Sequence, residues 1–108
     1  MFEKELKYNV KGHILTQYFS GVQRNIIGPM ISAYVQHLML PGSESLQAIQ
    51  AKLRGLRVAL SPFLLKKERD ELSDENIEMQ KPEELIETAV RIFFAVMDRE
   101  IEDESVVV

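Results

Sequence analysis

The sequence predicts an all-α fold, a small bundle of four or five helices in a single domain over residues 1–108, and three observations carry that reading. Apolar side chains recur at spacings of three and four along most of the chain, which is the period of a helix face. Nothing in the chain reads as a hairpin. The prolines at 29, 41, 62 and 82 fall between the periodic stretches, where they punctuate helices. With 108 residues, about two thirds of the unfolded chain's surface can be buried, enough for one core.

The elements follow in order. Residues 2–24 carry Leu6, Val10, Ile14, Leu15, Tyr18, Phe19 and Val22 at helical spacing. Gly12 and Gly21 weaken that helix by about 1 kcal/mol each relative to Ala. A break or kink is expected at Asn25 to Pro29, because Pro29 lacks a backbone donor and disfavours a helical Gly28. Pro29 suits the first position of a second helix reaching about Leu40. That helix carries Met30, Ile31, Ala33, Tyr34, Val35, Leu38, Met39 and Leu40, so burial on most of its sides is expected. Pro41 and Gly42 end it, and Ser43 is the expected cap of the next.

The third helix has the clearest pattern. Leu46, Ile49, Leu53, Leu56, Leu60 and Phe63 form a heptad seam whose leucines span an arc of about 80°, a narrow line of contact. Leu60 to Pro62 either kinks this helix or ends it, with Ser61 capping a new helix that begins at Pro62 and turns charged at Lys66 to Glu71. Ser73 to Asn76 reads as a polar connection. A last helix starts at Pro82 with Glu83 and Glu84 in its first turn. From Leu85 to Ile101 its apolar residues cover about 200° of the wheel, which fits a central helix or half of an interface. Residues 102–108 are expected to fray.

Charge divides the chain unevenly. Residues 1–67 hold nine bases and three acids, a net of +6, whereas residues 68–108 hold four bases and fourteen acids, a net of −10. Asymmetry of this kind points at partners or at attraction between the two halves. The sharpest local feature lies beside the leucine seam, where Gln47, Gln50, Arg54 and Arg57 project on one side of the third helix. Gln and Arg read base edges and fork onto phosphates, so these four, with Lys52, Lys66 and Lys67, are the candidate nucleic-acid-binding residues. The same residues are also strong helix formers that can pair with the acidic half.

Other chemistry finds little footing. The absence of Cys excludes disulfides, thiol catalysis and cysteine-ligated metals. His13 and His37 stand in a stretch almost without acids, so no metal site and no cofactor are expected. No phosphate-binding glycine loop and no nucleophile elbow occur. No apolar run approaches the about 18 residues of a membrane span, and the first residues do not resemble a signal peptide, so the expected compartment is the cytoplasm and no membrane partner is expected.

The sequence therefore points to a non-enzymatic assembly or adaptor protein working through protein contacts, either with itself or with a larger assembly. The surplus of apolar residues in 30–40 and 85–101 is too large for a chain of this size to hide, and a homodimer or larger ring would cover it. Ile86, Val90, Phe93, Phe94 and Met97 are the expected interface. The alternative is a nucleic-acid-binding accessory protein using the basic 44–67 region.

Overall fold

A proline inside a helix removes one N–H and drives its ring against the carbonyl four residues back. The chain around Pro29 should therefore break, and it does not. The computed structural model describes the backbone of residues 14–106 and the side chains of residues 14–101, and it is helical without interruption from residue 14 to Met39. Helix α1 (14–22) passes through one π turn, Gln23–Ile27, into α2 (Gly28–Met39). Backbone angles stay helical at both joins, with φ −60° and ψ −43° at Val22 and φ −58° and ψ −53° at Gly28. The π turn inserts one extra residue, so the Gly28 N–H closes on the Gln23 carbonyl five residues back, and the wider turn makes room for the Pro29 ring. The Asn25 carbonyl, which Pro29 cannot serve, accepts from the Lys52 ammonium at 3.4 Å. Pro29 does lie in the first turn of α2, but that helix continues the one before it. Residues 2–13 of the expected first helix lie outside the described residues.

Helix α2 ends at Leu40, which leaves helical angles while its N–H still bonds the Gln36 carbonyl at 2.8 Å. In α3 (Ser43–Leu60) the N-cap is Gly42, and Ser43 already belongs to the first turn. The local side-chain bond comes from Ser45, whose hydroxyl donates to the Gly42 carbonyl at 3.0 Å. The seam of α3 is fully buried at Ile49, Leu53, Leu56 and Leu60, with Leu46 and Phe63 partly buried at its ends. It faces more than one neighbour, since α2, α5 and α6 all pack against α3.

Pro62 cannot donate to the Val58 carbonyl, and the Ser61 N–H takes that acceptor. The next carbonyl, Ala59, accepts the Tyr18 hydroxyl, so α1 caps the end of α3. A 3-10 turn, Ser61–Phe63, and extended residues Leu64 and Leu65 then lead to α4 (Lys66–Glu71). The new helix thus begins at Lys66, not Pro62, and Ser61 does not cap it. The polar stretch after it is also helical. In α5 (Asp74–Met79) the Ser73 hydroxyl accepts the Asn76 N–H at 3.3 Å, acids occupy the first turn, and Ile77 anchors the helix in the core. Helix α6 (Pro82–Val106) starts as the sequence predicts, with the Lys81 N–H donating to the Glu84 carboxylate at 3.2 Å. Its backbone stays helical over 102–106, where fraying is expected; 107 and 108 lie outside the described residues.

The core joins Phe19, Val22, Ile27 and Met30 of the N-terminal helix to the α3 seam and to Leu85, Ala89, Ile92, Phe93 and Val96 of α6. Phe19 sits edge-on to Phe63 at 5.5 Å and to Phe93 at 6.3 Å, tying three elements together. The Cα atoms extend over 57 × 26 × 16 Å with a radius of gyration of 16.0 Å, against about 13 Å for a compact chain of about 100 residues. Packed helix axes lie about 8–10 Å apart, so the short dimension holds only two helical layers. Among the described residues, a slab this thin leaves each outer helix face without an internal partner.

Candidate interaction surface

One such face belongs to α2. Met30 is fully buried, and Ala33, Tyr34 and His37 are partly so, which fixes the side turned inward. About 100° around the helix, Ile31, Val35 and Leu38 line up within an arc of about 60°, Met39 lies about 40° beyond them, and Leu40, outside the last turn, is exposed at the helix end. These five side chains are 40% to 81% exposed, most at Met39 and Leu40. No Asp, Glu, Lys or Arg occurs between Arg24 and Glu44. The exposed area is on the order of 500 Å², near the upper end of the about 300–600 Å² that the largest apolar patch of a monomer covers. The sequence pointed to the 30–40 segment as a surplus; what it could not assign is which of its residues the chain's own core would absorb.

Helix α6 divides its wide apolar arc differently from the expected interface. Phe93 is fully buried in the core of its own chain. Ile86, Val90 and Met97 are half-buried along its flank, and of the five expected residues only Phe94 stands well exposed, at 45%. Phe94 packs edge-on to Phe93 at 5.4 Å. The 200° arc therefore reflects a helix that occupies the core with one half and edges it with the other.

The Gln/Arg row of α3 meets α5. Arg54 Nε lies 3.1 Å from Asp74 Oδ1 and its guanidinium reaches Glu78 at 3.6 Å. Arg57 donates to the same Asp74 oxygen at 3.0 Å and to the Leu72 carbonyl at 2.9 Å, which satisfies the C-terminal end of α4. The hydrogen bonds from Arg54 and then Arg57 hold the Asp74 carboxyl below its ordinary pKa of 3.8. Lys52 points to the π turn, Gln47 is exposed and Gln50 partly buried, while Lys66 and Lys67 stand exposed on α4. The seven candidate nucleic-acid residues therefore do not form one surface of free cations. Further along, Arg91 pairs with Glu71, whose carboxylate raises the guanidinium pKa.

Two polar clusters escaped sequence reasoning. Glu68 has a side chain only 9% exposed. Its Oε1 accepts the Leu65 N–H at 2.9 Å and an Arg99 N–H at 2.9 Å, its Oε2 accepts from Arg99 at 3.2 Å, and Arg99 also donates to the Phe63 carbonyl at 2.9 Å. Burial pushes the Glu68 carboxyl up, but the Arg99 and Leu65 hydrogen bonds and the charges of Arg99 and Arg91 outweigh it, so its pKa lies below the ordinary 4.5. A run such as Lys66 to Glu71 gives no sign of which acid turns inward. In the second cluster His37 Nδ1 lies 2.6 Å from Ser45 Oγ. The Ser45 hydroxyl thus lies within hydrogen-bond distance of both His37 and the Gly42 carbonyl, and the imidazole tautomer sets which group donates in the His37 contact. This pair clamps α2 to α3 beside a groove of about 720 Å³ lined by Gln36, Met39, Leu40, Pro41 and Glu44.

Among the described residues there is no group of three His, Asp or Glu suited to a metal ion, and no helix long and apolar enough to cross a membrane. Fold and surface together define an all-helical chain with an uncharged apolar helix face. No protein-family model matches this chain, and no curated protein or solved structure is significantly similar to it.

Proposed function

We propose that this chain is a non-enzymatic helical assembly protein that acts through protein–protein contacts and associates with itself, with the α2 face as its contact surface. The observation that carries the proposal is the row Ile31, Val35 and Leu38 with Met39 and Leu40, aliphatic, exposed and without a charge on its helix. Burying such side chains yields about 2 kcal/mol each when complete. Scaled by their exposure, the five offer about 6 kcal/mol per copy before the cost of association.

Leu38→Asp tests this. In a symmetric dimer the change acts twice, removing about 1 kcal/mol of burial per copy and placing two carboxylates in the contact. The expected result is a drop from two chains of 12.4 kDa to one by light scattering at micromolar concentration, with the helical circular dichroism unchanged. A wild-type mass of a single chain would refute self-association.

The alternative of a nucleic-acid-binding accessory protein draws weaker support. With Arg54 and Arg57 held on Asp74, its exposed candidate cations reduce to Lys66 and Lys67.

A further inference from the structure

We infer that α4 is a flap closed on α6 by the Glu68–Arg99 pair, and that protonating Glu68 opens α4 while the rest of the bundle stays folded. Helices shorter than about 12 residues are marginal in water, so the six residues of α4 keep their shape through what holds their two ends and one face. Extended residues flank the helix, Leu64 and Leu65 before it and Ser73 after Leu72. Among the helices α4 packs its backbone closest to α5, while its link to α6 is carried by side chains, Glu68 on Arg99 and Glu71 on Arg91.

The two ends of α4 are held differently. At its C-terminal end Arg57 of α3 donates to the Leu72 carbonyl at 2.9 Å and the Asn76 amide of α5 to the Asp70 carbonyl at 2.6 Å, contacts that no carboxyl proton touches. At its N-terminal end one carboxylate does two jobs. Glu68 Oε1 accepts the Leu65 N–H at 2.9 Å, which caps the first turn, and the same group accepts from Arg99 at 2.9 and 3.2 Å, which docks the helix. A proton on Glu68 weakens the cap and sets the Arg99 charge against a neutral acid in a largely buried site. Among the described residues the charges acting on Glu68 come from α6, Arg99 in contact and Arg91 at longer range, with Glu71 of α4 paired to Arg91. On α5, Asp74 and Glu78 are turned to the arginines of α3, and Glu75 is exposed. Burial raises the Glu68 pKa, and the Arg99 and Leu65 hydrogen bonds with the charges of Arg99 and Arg91 bring it below the ordinary 4.5 in the closed state. The closed state is therefore at full strength above 4.5 and weakens between 4.5 and the lower closed value. The flap then pivots at Leu72 and bares the buried Leu64.

Native-state hydrogen exchange by NMR, at fixed protein concentration and with each rate taken relative to an unstructured peptide at the same pH, tests the flap. The reporters are the Arg69 and Leu72 N–H groups, which bond the Leu65 and Glu68 carbonyls, set against those of Leu53 and Leu56 in the core of α3. The α4 amides should be at least about 100-fold less protected than the α3 amides at every pH, and low urea should leave their opening unchanged. Their protection should stay level from pH 7 to 4.5 and fall below it by at most about tenfold per pH unit, the slope of one proton. In Glu68→Gln the side-chain amide can still accept the Leu65 N–H but carries no charge. Protection of α4 in this variant should already be low at pH 7, and the fall below 4.5 should largely vanish. Equal protection of α4 and α3 in the wild type would overturn the proposal, since the segment would then open only with the whole fold. A wild-type α4 protection that ignores pH, or an undiminished acid-dependent fall in Glu68→Gln, would overturn it as well.

Discussion

Removing the Arg99 guanidinium should destabilise the fold more than any other single charge deletion. In Arg99→Met the methylene stem is kept, but Glu68, with a side chain 9% exposed, loses two charge-assisted bonds, and the Phe63 carbonyl loses its donor. Breaking a buried pair on one side costs about 3–5 kcal/mol. Arg99 itself is 29% exposed, so water reaches part of the site and the expected loss is about 2–4 kcal/mol, out of a total of about 5–15 kcal/mol for a single domain. With a urea slope of about 2 kcal/mol per molar, the midpoint falls by about 1–2 M. The assay is urea unfolding followed by circular dichroism at fixed protein concentration, since self-association would add to stability. The pH dependence gives a second readout. In the wild type the Glu68 pKa is depressed, so its stabilisation is full above the ordinary 4.5 and is lost as pH falls through the lower folded value. In Arg99→Met burial is less opposed and that pKa rises, so the gap between variant and wild type should shrink on going from neutral pH to below 4.5. The double variant Glu68→Leu with Arg99→Met should regain part of the loss. A deficit under 1 kcal/mol that does not change with pH would mean that the pair acts as a surface pair, and the reasoning would fail.

Phe93→Ala should cost about 3–5 kcal/mol in the same assay, whereas the neighbouring Phe94→Ala, half outside the core, should cost well under half of that. Equal losses would contradict the division of the α6 arc. Tyr18→Phe removes the donor to the Ala59 carbonyl and should cost about 0.5–1.5 kcal/mol by thermal or urea unfolding; no change would mean that water replaces the hydroxyl without loss.

Helix type was legible wherever a long apolar period existed. The α3 seam shows its buried residues directly, because Ile49, Leu53, Leu56 and Leu60 repeat at a spacing that admits one reading. The short helix α5 was not legible, since six residues with a single buried Ile77 present no period, and only Ser73 before two acids hinted at a cap. Pro29 misled because its local preference is a break, while the π turn that accommodates it depends on tertiary support, including Lys52 from α3. Among the expected interface residues, the full burial of Phe93 was not legible for a related reason. An arc of 200° states how much of α6 is apolar, but whether Phe93 or Phe94 faces solvent depends on where α1 and the 3-10 turn pack, through Phe19 and Phe63.

The division of charge along the chain bears on the remaining alternative. Arg54 and Arg57 come from the basic part, Asp74 and Glu78 from the acidic part, and they meet within one subunit. Their Asp74 is exposed, so the contact is a surface network that water and salt screen. Arg57 adds one hydrogen bond to the Leu72 carbonyl, worth about 1 kcal/mol. Arg54→Ala combined with Arg57→Ala should therefore lower stability mainly through the lost Leu72 contact and free Asp74, whose carboxyl pKa should climb back toward 3.8 when followed by NMR titration. A nucleic-acid surface built on these arginines predicts a different result: affinity for DNA or RNA that falls in the double variant, with a flatter dependence on salt. Arginines occupied by α5 should give no such change. A salt-dependent wild-type affinity that the double variant abolishes, without loss of fold, would show that the contact with Asp74 opens to admit phosphate and would favour the nucleic-acid reading over assembly.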